Sequence, residues 1–205
     1  MKILSYMTGP IMVNTYLVYD ETKKAFIVDP GGYSRDLAED VSRNDLSVEA
    51  IILTHGHGDH IGGIPKFREL YPKAEIIAAA AEKPLLEDPR KNVSPELLGR
   101  PLTIRADRFV HEGEEMTIGT MHLKFRMTPG HTPGGMIILL DHVVFSGDTL
   151  FQASVGRTDF PGGSFQDLVN SVREKLFTLP DDTVVLPGHM GKTTIGFEKE
   201  NNPFV

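Results

Sequence analysis

At 205 residues, 40% hydrophobic and 24% charged, the chain has enough material for one sizeable core, and we expect a single domain over residues 1–205. A net charge of −7 with no Lys/Arg cluster argues against a nucleic-acid partner, and the absence of cysteine removes disulfides, thiolate metal ligands and a thiol nucleophile. No apolar run approaches the roughly 20 residues that span a bilayer; the longest lies around Ile76 to Ala81. The N-terminus, "MKILSYMTGPIM", reads as a strand interrupted by Thr8, Gly9 and Pro10 and lacks the apolar core of a secretory signal, so a cytoplasmic protein with no membrane partner is expected. Apolar, β-branched runs predict strands over 11–19, 25–28, 50–53, 75–78, 122–127, 136–140, 143–145 and 183–186. Between them, helices are predicted over 34–44, after Pro65, and from an N-cap at Ser164 to about Leu179, where Pro180 follows. This mixture of strand pairs and strand-helix alternation indicates an α/β or α+β layered architecture.

The densest chemistry is "ILTHGHGDHIGG", residues 52–63, with His55, His57, Asp59 and His60 on a glycine-rich loop at a strand's end. A lone histidine there would be an ordinary polar turn residue. Nothing in packing asks for H-x-H-x-D-H, whereas a divalent cation binds neutral imidazoles and removes the repulsion that would arise if they charged. Further residues of ligand type follow in the same setting, just past predicted strands: His131 in "TPGHTPGG", Asp148 in "VVFSGDTLF" and His189 in "VVLPGHMG". Loops on a rigid scaffold are where active sites are built. His111, His122 and His142 fall outside this pattern and read as surface or structural residues.

The order H-x-H-x-D-H, His, Asp, His resembles the metallo-β-lactamase superfamily, over nearly the whole chain from "IVDPGG" at 27–32 to "NPFV" at the end. The resemblance implies a four-layered αββα sandwich with a binuclear site of two divalent metal ions at one sheet edge. It assigns His55, His57 and His131 to one metal, Asp59, His60 and His189 to the other, and Asp148 as the bridge, with Asp29 bracing the loop. An all-imidazole and carboxylate set suits zinc first, with iron or manganese as alternatives. Two such ions lower the pKa of a shared water enough to supply hydroxide, and Asp59 beside it would orient it and carry its proton.

Within that superfamily, "FSGDTLFQASVGRTDFPGGS" (145–164) and "PGHMGKTTIGFEKENNPFV" (187–205) are most similar to the glyoxalase II branch in its short bacterial form. That resemblance implies hydrolysis of a small-molecule thioester, an S-(2-hydroxyacyl)glutathione such as lactoylglutathione, to a 2-hydroxy acid and glutathione. The longer enzymes of the branch add a C-terminal helical domain that grips glutathione, which this chain is expected to lack. They also carry an aromatic two positions after the basic residue that matches Arg157; here Asp159 stands there, and Met190 stands where the short form more often has glycine. Arg157 is a candidate for a substrate carboxylate, with an ion pair to Asp159 as the alternative role; Phe160 and Lys192 are further substrate-binding candidates. "GRTDF" also resembles the iron-dependent persulfide dioxygenases, but those usually show "PAH" where this chain has Pro187-Gly188-His189. Lactonase or β-lactamase activity is a further alternative.

Overall fold

The computed structural model describes residues 1–205 and contains two six-stranded sheets. The first is built in sequence order from β1 (Lys2–Thr8), β2 (Val13–Tyr19), β3 (Lys24–Val28), β4 (Ser47–Ile52), β5 (Glu75–Ala79) and β6 (Arg108–Val110). Its first three strands pair antiparallel and the rest parallel, so β4 and β5 end on the same edge. The second sheet contains β7 (Glu115–Ile118), β8 (Met121–Met127), β9 (Met136–Leu140) and β10 (Val143–Gly147). A small hairpin follows, β11 (Leu150–Phe151) with β12 (Ser154–Val155); β13 (Val184–Pro187) then pairs parallel to β10, and β14 (Thr193–Thr194) closes the edge.

Alternation along each strand explains why the predicted strands read as unbroken apolar runs. In β3, Ala25 and Ile27 face helices α1 (Arg35–Arg43) and α3 (Ile64–Leu70), while Phe26 and Val28 face the second sheet. In β9, Met136, Ile138 and Leu140 face the first sheet, and Ile137 packs with Val172 and Leu176, in the continuation of the helix Phe165–Ser171, and with Ile195 of the helix Ile195–Asn201. The central strands β2, β3, β5, β9 and β10 are buried on both faces, which calls for near-continuous hydrophobic sequence, whereas β1, β7 and β8 leave one face partly open. The order helix, sheet, sheet, helix is the expected αββα sandwich. Between the sheets, Phe145 meets Tyr16 and Phe26 edge-on, with ring centroids 5.3 and 6.3 Å apart.

Two predicted elements differ. The first strand pair turns at 9–12, so β2 begins at Val13 rather than residue 11. The helix capped by Ser164 widens to a π-helix over Val172–Leu176, a register change that keeps Val172 and Leu176 packed on the sheet. No helix is long and apolar enough to cross a membrane.

Candidate metal centre

The strand ends converge on one edge of the sandwich. β4 delivers the chain to Thr54, after which His55 to His57 run extended and Gly58–Ile61 form the short helix α2. That helical turn rotates successive side chains by about 100° and sends Asp59 to the cleft and His60 inward, where it is fully buried. The loop after β8 supplies His131, the end of β10 supplies Asp148, and the end of β13 supplies His189. All seven side chains from the sequence reading meet here.

They form two groups whose ligand atoms lie within 4.8 Å of one another: His55, His57 and His131, and Asp59, His60 and His189. Asp148 stands between the groups, with Oδ1 3.3 Å from His60 Nε2 and Oδ2 3.6 Å from His131 Nε2 and 3.7 Å from His189 Nε2. A third set, Asp29, His55 and His60, lies behind them.

The proton positions follow from the partners. His131 Nδ1 lies 2.7 Å from the Arg157 carbonyl, which only accepts, so this nitrogen carries the proton and Nε2 keeps its lone pair. By the same logic His60 Nδ1 donates to Asp29 Oδ2 at 3.0 Å. Thr54 Oγ1 gives its proton to Asp29 Oδ2 at 2.6 Å and accepts from His55 Nδ1 at 3.2 Å. His55 Nε2 and His131 Nε2 therefore present lone pairs to the interior, and His60 Nε2 does so in the neutral ring that a bound cation requires. His131 Nε2 lies 3.2 Å from His55 Nε2 and 2.9 Å from His57 Nδ1, and His57 Nε2, His60 Nε2 and Asp148 Oδ1 have no hydrogen-bond partner. Buried lone pairs aimed at one another are costly without a shared electrophile. The donor set fits divalent cations.

Electrostatics agree. Burial, reinforced by neighbouring imidazoles, holds His55 well below the usual histidine range and lowers His57 to about 3; burial also lowers His131. These rings stay neutral, as a ligand must. Burial opposes charge on His60 as well, but Asp148, Asp59 and Asp29 together push its pKa well above the ordinary value. For Asp59 and Asp148, burial would raise the pKa, yet the adjacent imidazoles, His60 foremost, keep both carboxylates ionised. Three carboxylates around His60 draw positive charge to that spot, and a divalent cation answers the same field.

A cleft of about 330 Å³ opens onto His57, Asp59, His131, Asp148 and His189 and is walled by Ile11, Leu97, Phe151, Val155, Phe160 and Met190. Phe160 packs edge-on against His57, ring centroids 5.2 Å apart. Arg157 lines the cleft, paired in bidentate fashion with Asp159 (2.7 and 2.6 Å) and lying over the Phe160 ring at 4.0 Å. Lys192 lies outside this cleft, in a separate depression with Gln152, Val184, Thr193, Thr194 and Phe197, so nearness to His189 in sequence does not bring it to the site. A larger, more open depression of about 600 Å³ sits at the other ends of β3 and β4 and holds no histidine.

Sequence reasoning missed Thr54, whose hydroxyl links Asp29 to His55 and whose amide donates to Asp29 Oδ1 at 2.8 Å. Its position between the strand and the first histidine was the available signal. Gly188 is explained by close approach, since a Cβ there would overlap Asp148 Oδ1 and come within 2.6 Å of His60 Cε1. His111, His122 and His142 are exposed and distant in role.

The model describing the metallo-β-lactamase superfamily matches residues 8–189. This chain belongs to the metallo-β-lactamase superfamily. It is 38% identical over 208 residues to the probable metallo-hydrolase YqgX of Bacillus subtilis (strain 168), covering all of this chain and 98% of the relative. It is also 37% identical to the hydroxyacylglutathione hydrolase GloC of Haemophilus influenzae, covering 94% of this chain and 92% of that one. Among solved structures, BLEG-1 B3 metallo-beta-lactamase superposes with a TM-score of 0.93 at 40% identity, over 99% of both chains.

Proposed function

We propose that this protein is a binuclear metal-dependent thioester hydrolase that cleaves an S-(2-hydroxyacyl)glutathione, such as lactoylglutathione, to a 2-hydroxy acid and glutathione. The observation that carries this reading is a cleft whose floor consists of two adjoining His/Asp groups with Asp148 between them. His55, His57 and His131 would hold one cation, Asp59, His60 and His189 the other, and Asp148 would bridge. Zinc is the first choice, iron and manganese the alternatives. When bound, two such ions lower the pKa of water and polarise the scissile carbonyl, and a thiolate leaves readily.

The protein's own groups do the rest. Asp59 is ionised, lines the cleft and lies 3.2 Å from His189 Nε2, which places its carboxylate to orient a water and accept its proton. Phe160, Phe151 and Val155 exclude solvent around the acyl group. Arg157 reaches a substrate carboxylate only by leaving Asp159. Because exposed ion pairs contribute about 0.2–1 kcal/mol, that exchange is nearly even. Arg157→Ala is therefore expected to raise KM for a glutathione thioester by about three- to tenfold and leave kcat unchanged in steady-state assays.

The full-length resemblance to GloC supports the thioester reading. Likeness to BLEG-1 favours β-lactam hydrolysis as a second reading. The tight fit at Gly188 counts against the persulfide dioxygenase reading, because an alanine there would strike Asp148 and His60. The test is release of free thiol from S-lactoylglutathione by zinc-loaded protein, beside β-lactam opening and oxygen uptake on glutathione persulfide. Thiol release with the highest kcat/KM of the three is the expected result. Zinc-loaded protein that opens β-lactams or consumes oxygen while leaving the thioester intact would overturn the proposal.

A further inference from the structure

The mechanism above leaves two fully buried carboxylates unused, Glu82 and Glu198, and Glu82 is the one beside the histidine loops. Glu82 ends a 3-10 turn, Ala80–Glu82, that follows β5, and its side chain is inaccessible to solvent. No lysine, arginine or histidine pairs with it. Instead Oε2 accepts from the Gly56 amide at 2.7 Å and Oε1 from the Gly134 amide at 2.8 Å. Gly56 separates His55 from His57, and Gly134 lies three residues beyond His131. One carboxylate therefore ties together the two loops that carry the three-histidine group.

The fit is close on both sides. A Cβ on Gly134 would come within 2.6 Å of the Glu82 backbone nitrogen, and one on Gly56 within 3.1 Å of Glu82 Oε2. These loops are 26 and 52 residues from Glu82 in sequence, and the clamp acts beside a backbone bond from the Met136 amide to the Thr54 carbonyl at 2.9 Å. A carboxylate buried without a cationic partner is costly, and burial pushes the pKa of Glu82 up. A cation bound by the flanking histidines would offset that cost through space.

We propose that Glu82 is a positioning residue that sets the spacing of His55, His57 and His131 and selectively raises the cation affinity of that group. Asp29 plays the corresponding part for His60. The inference rests on the reading of these histidines as ligands.

The test compares zinc binding by wild type and Glu82→Gln, using a competing chromophoric chelator, with imidazole nitrogen shifts of His57, His131 and His189 assigning each equivalent. The amide of glutamine accepts one backbone N–H and opposes the other. Affinity at the three-histidine group is expected to fall by about 10- to 100-fold, while the group containing His189 stays within about threefold of wild type. Equal affinities in wild type and variant, or equal weakening of both groups, would overturn the role. Amide exchange in the wild-type protein needs no variant. Gly56 and Gly134 should be protected like the adjoining strands β4 and β9, and exchange of either at free-loop rates would also overturn it. Wild-type protein that binds no zinc at these rings would instead sink the reading of the site and this inference with it.

Discussion

Asp148→Ala is expected to lower turnover at least a thousandfold, roughly 4 kcal/mol of transition-state stabilisation, and to reduce the zinc retained per chain while leaving the fold intact. The carboxylate lies within 3.7 Å of imidazole nitrogens from both ligand groups. Removing it would leave two half-sites with no common ligand between them. No backbone donor depends on Asp148, and its Oδ1 has no hydrogen-bond partner, so structure elsewhere does not require it. Such a group serves the site at the expense of the scaffold. Chelator-treated wild type and variant should therefore melt within about 3 °C of each other, since for a domain this size ~1 kcal/mol shifts Tm by about that much. Activity within tenfold of wild type, or collapse of the chelated variant, would contradict this assignment.

Asp29→Asn should act through a different link, the orientation of His60. Asp29 is buried at φ 47°, a left-handed conformation that asparagine also tolerates, so the backbone survives the change. Its carboxylate accepts from the Thr54 amide, the Thr54 hydroxyl and His60 Nδ1. In the variant one oxygen becomes an NH₂ donor. If it faces His60, the ring must move its proton to Nε2 and thereby close the lone pair aimed at Asp59 and Asp148. If it faces the Thr54 amide, that buried N–H loses its acceptor. We expect a 10- to 100-fold loss of zinc affinity at the Asp59, His60 and His189 group, and about 1–3 kcal/mol of stability lost in chemical denaturation. Unchanged zinc affinity and stability would show that Asp29 does not fix the tautomer.

Much of this was legible because the central strands are buried on both faces and so read as continuous apolar runs, and four strands, β4, β8, β10 and β13, are each followed by a turn and a ligand type. The seven residues were found by pattern; their grouping needed the superfamily resemblance, since spacing alone does not say which loops adjoin. The short helix Gly58–Ile61 was hidden inside a stretch whose glycines read as loop, yet it is what points Asp59 and His60 in different directions. Lys192 misled because the chain turns into β14 after His189 and carries the lysine to another face. Arg157 and Asp159 form an ion pair, the alternative role that their spacing allows. Glu82 gave one quiet signal, a lone acidic residue closing the apolar run through Ala81, and its partners are two glycine amides that no side-chain pattern records.

The central claim is that these seven side chains hold a pair of cations. Equilibrium dialysis of chelator-stripped protein against zinc, read by elemental analysis and by imidazole nitrogen shifts, tests it most directly. The account predicts two zinc ions per chain, with shifts at His55, His57, His60, His131 and His189 and none at His111, His122 or His142. Binding of one equivalent or none at saturating zinc, or binding that leaves the five buried rings unshifted, would contradict it.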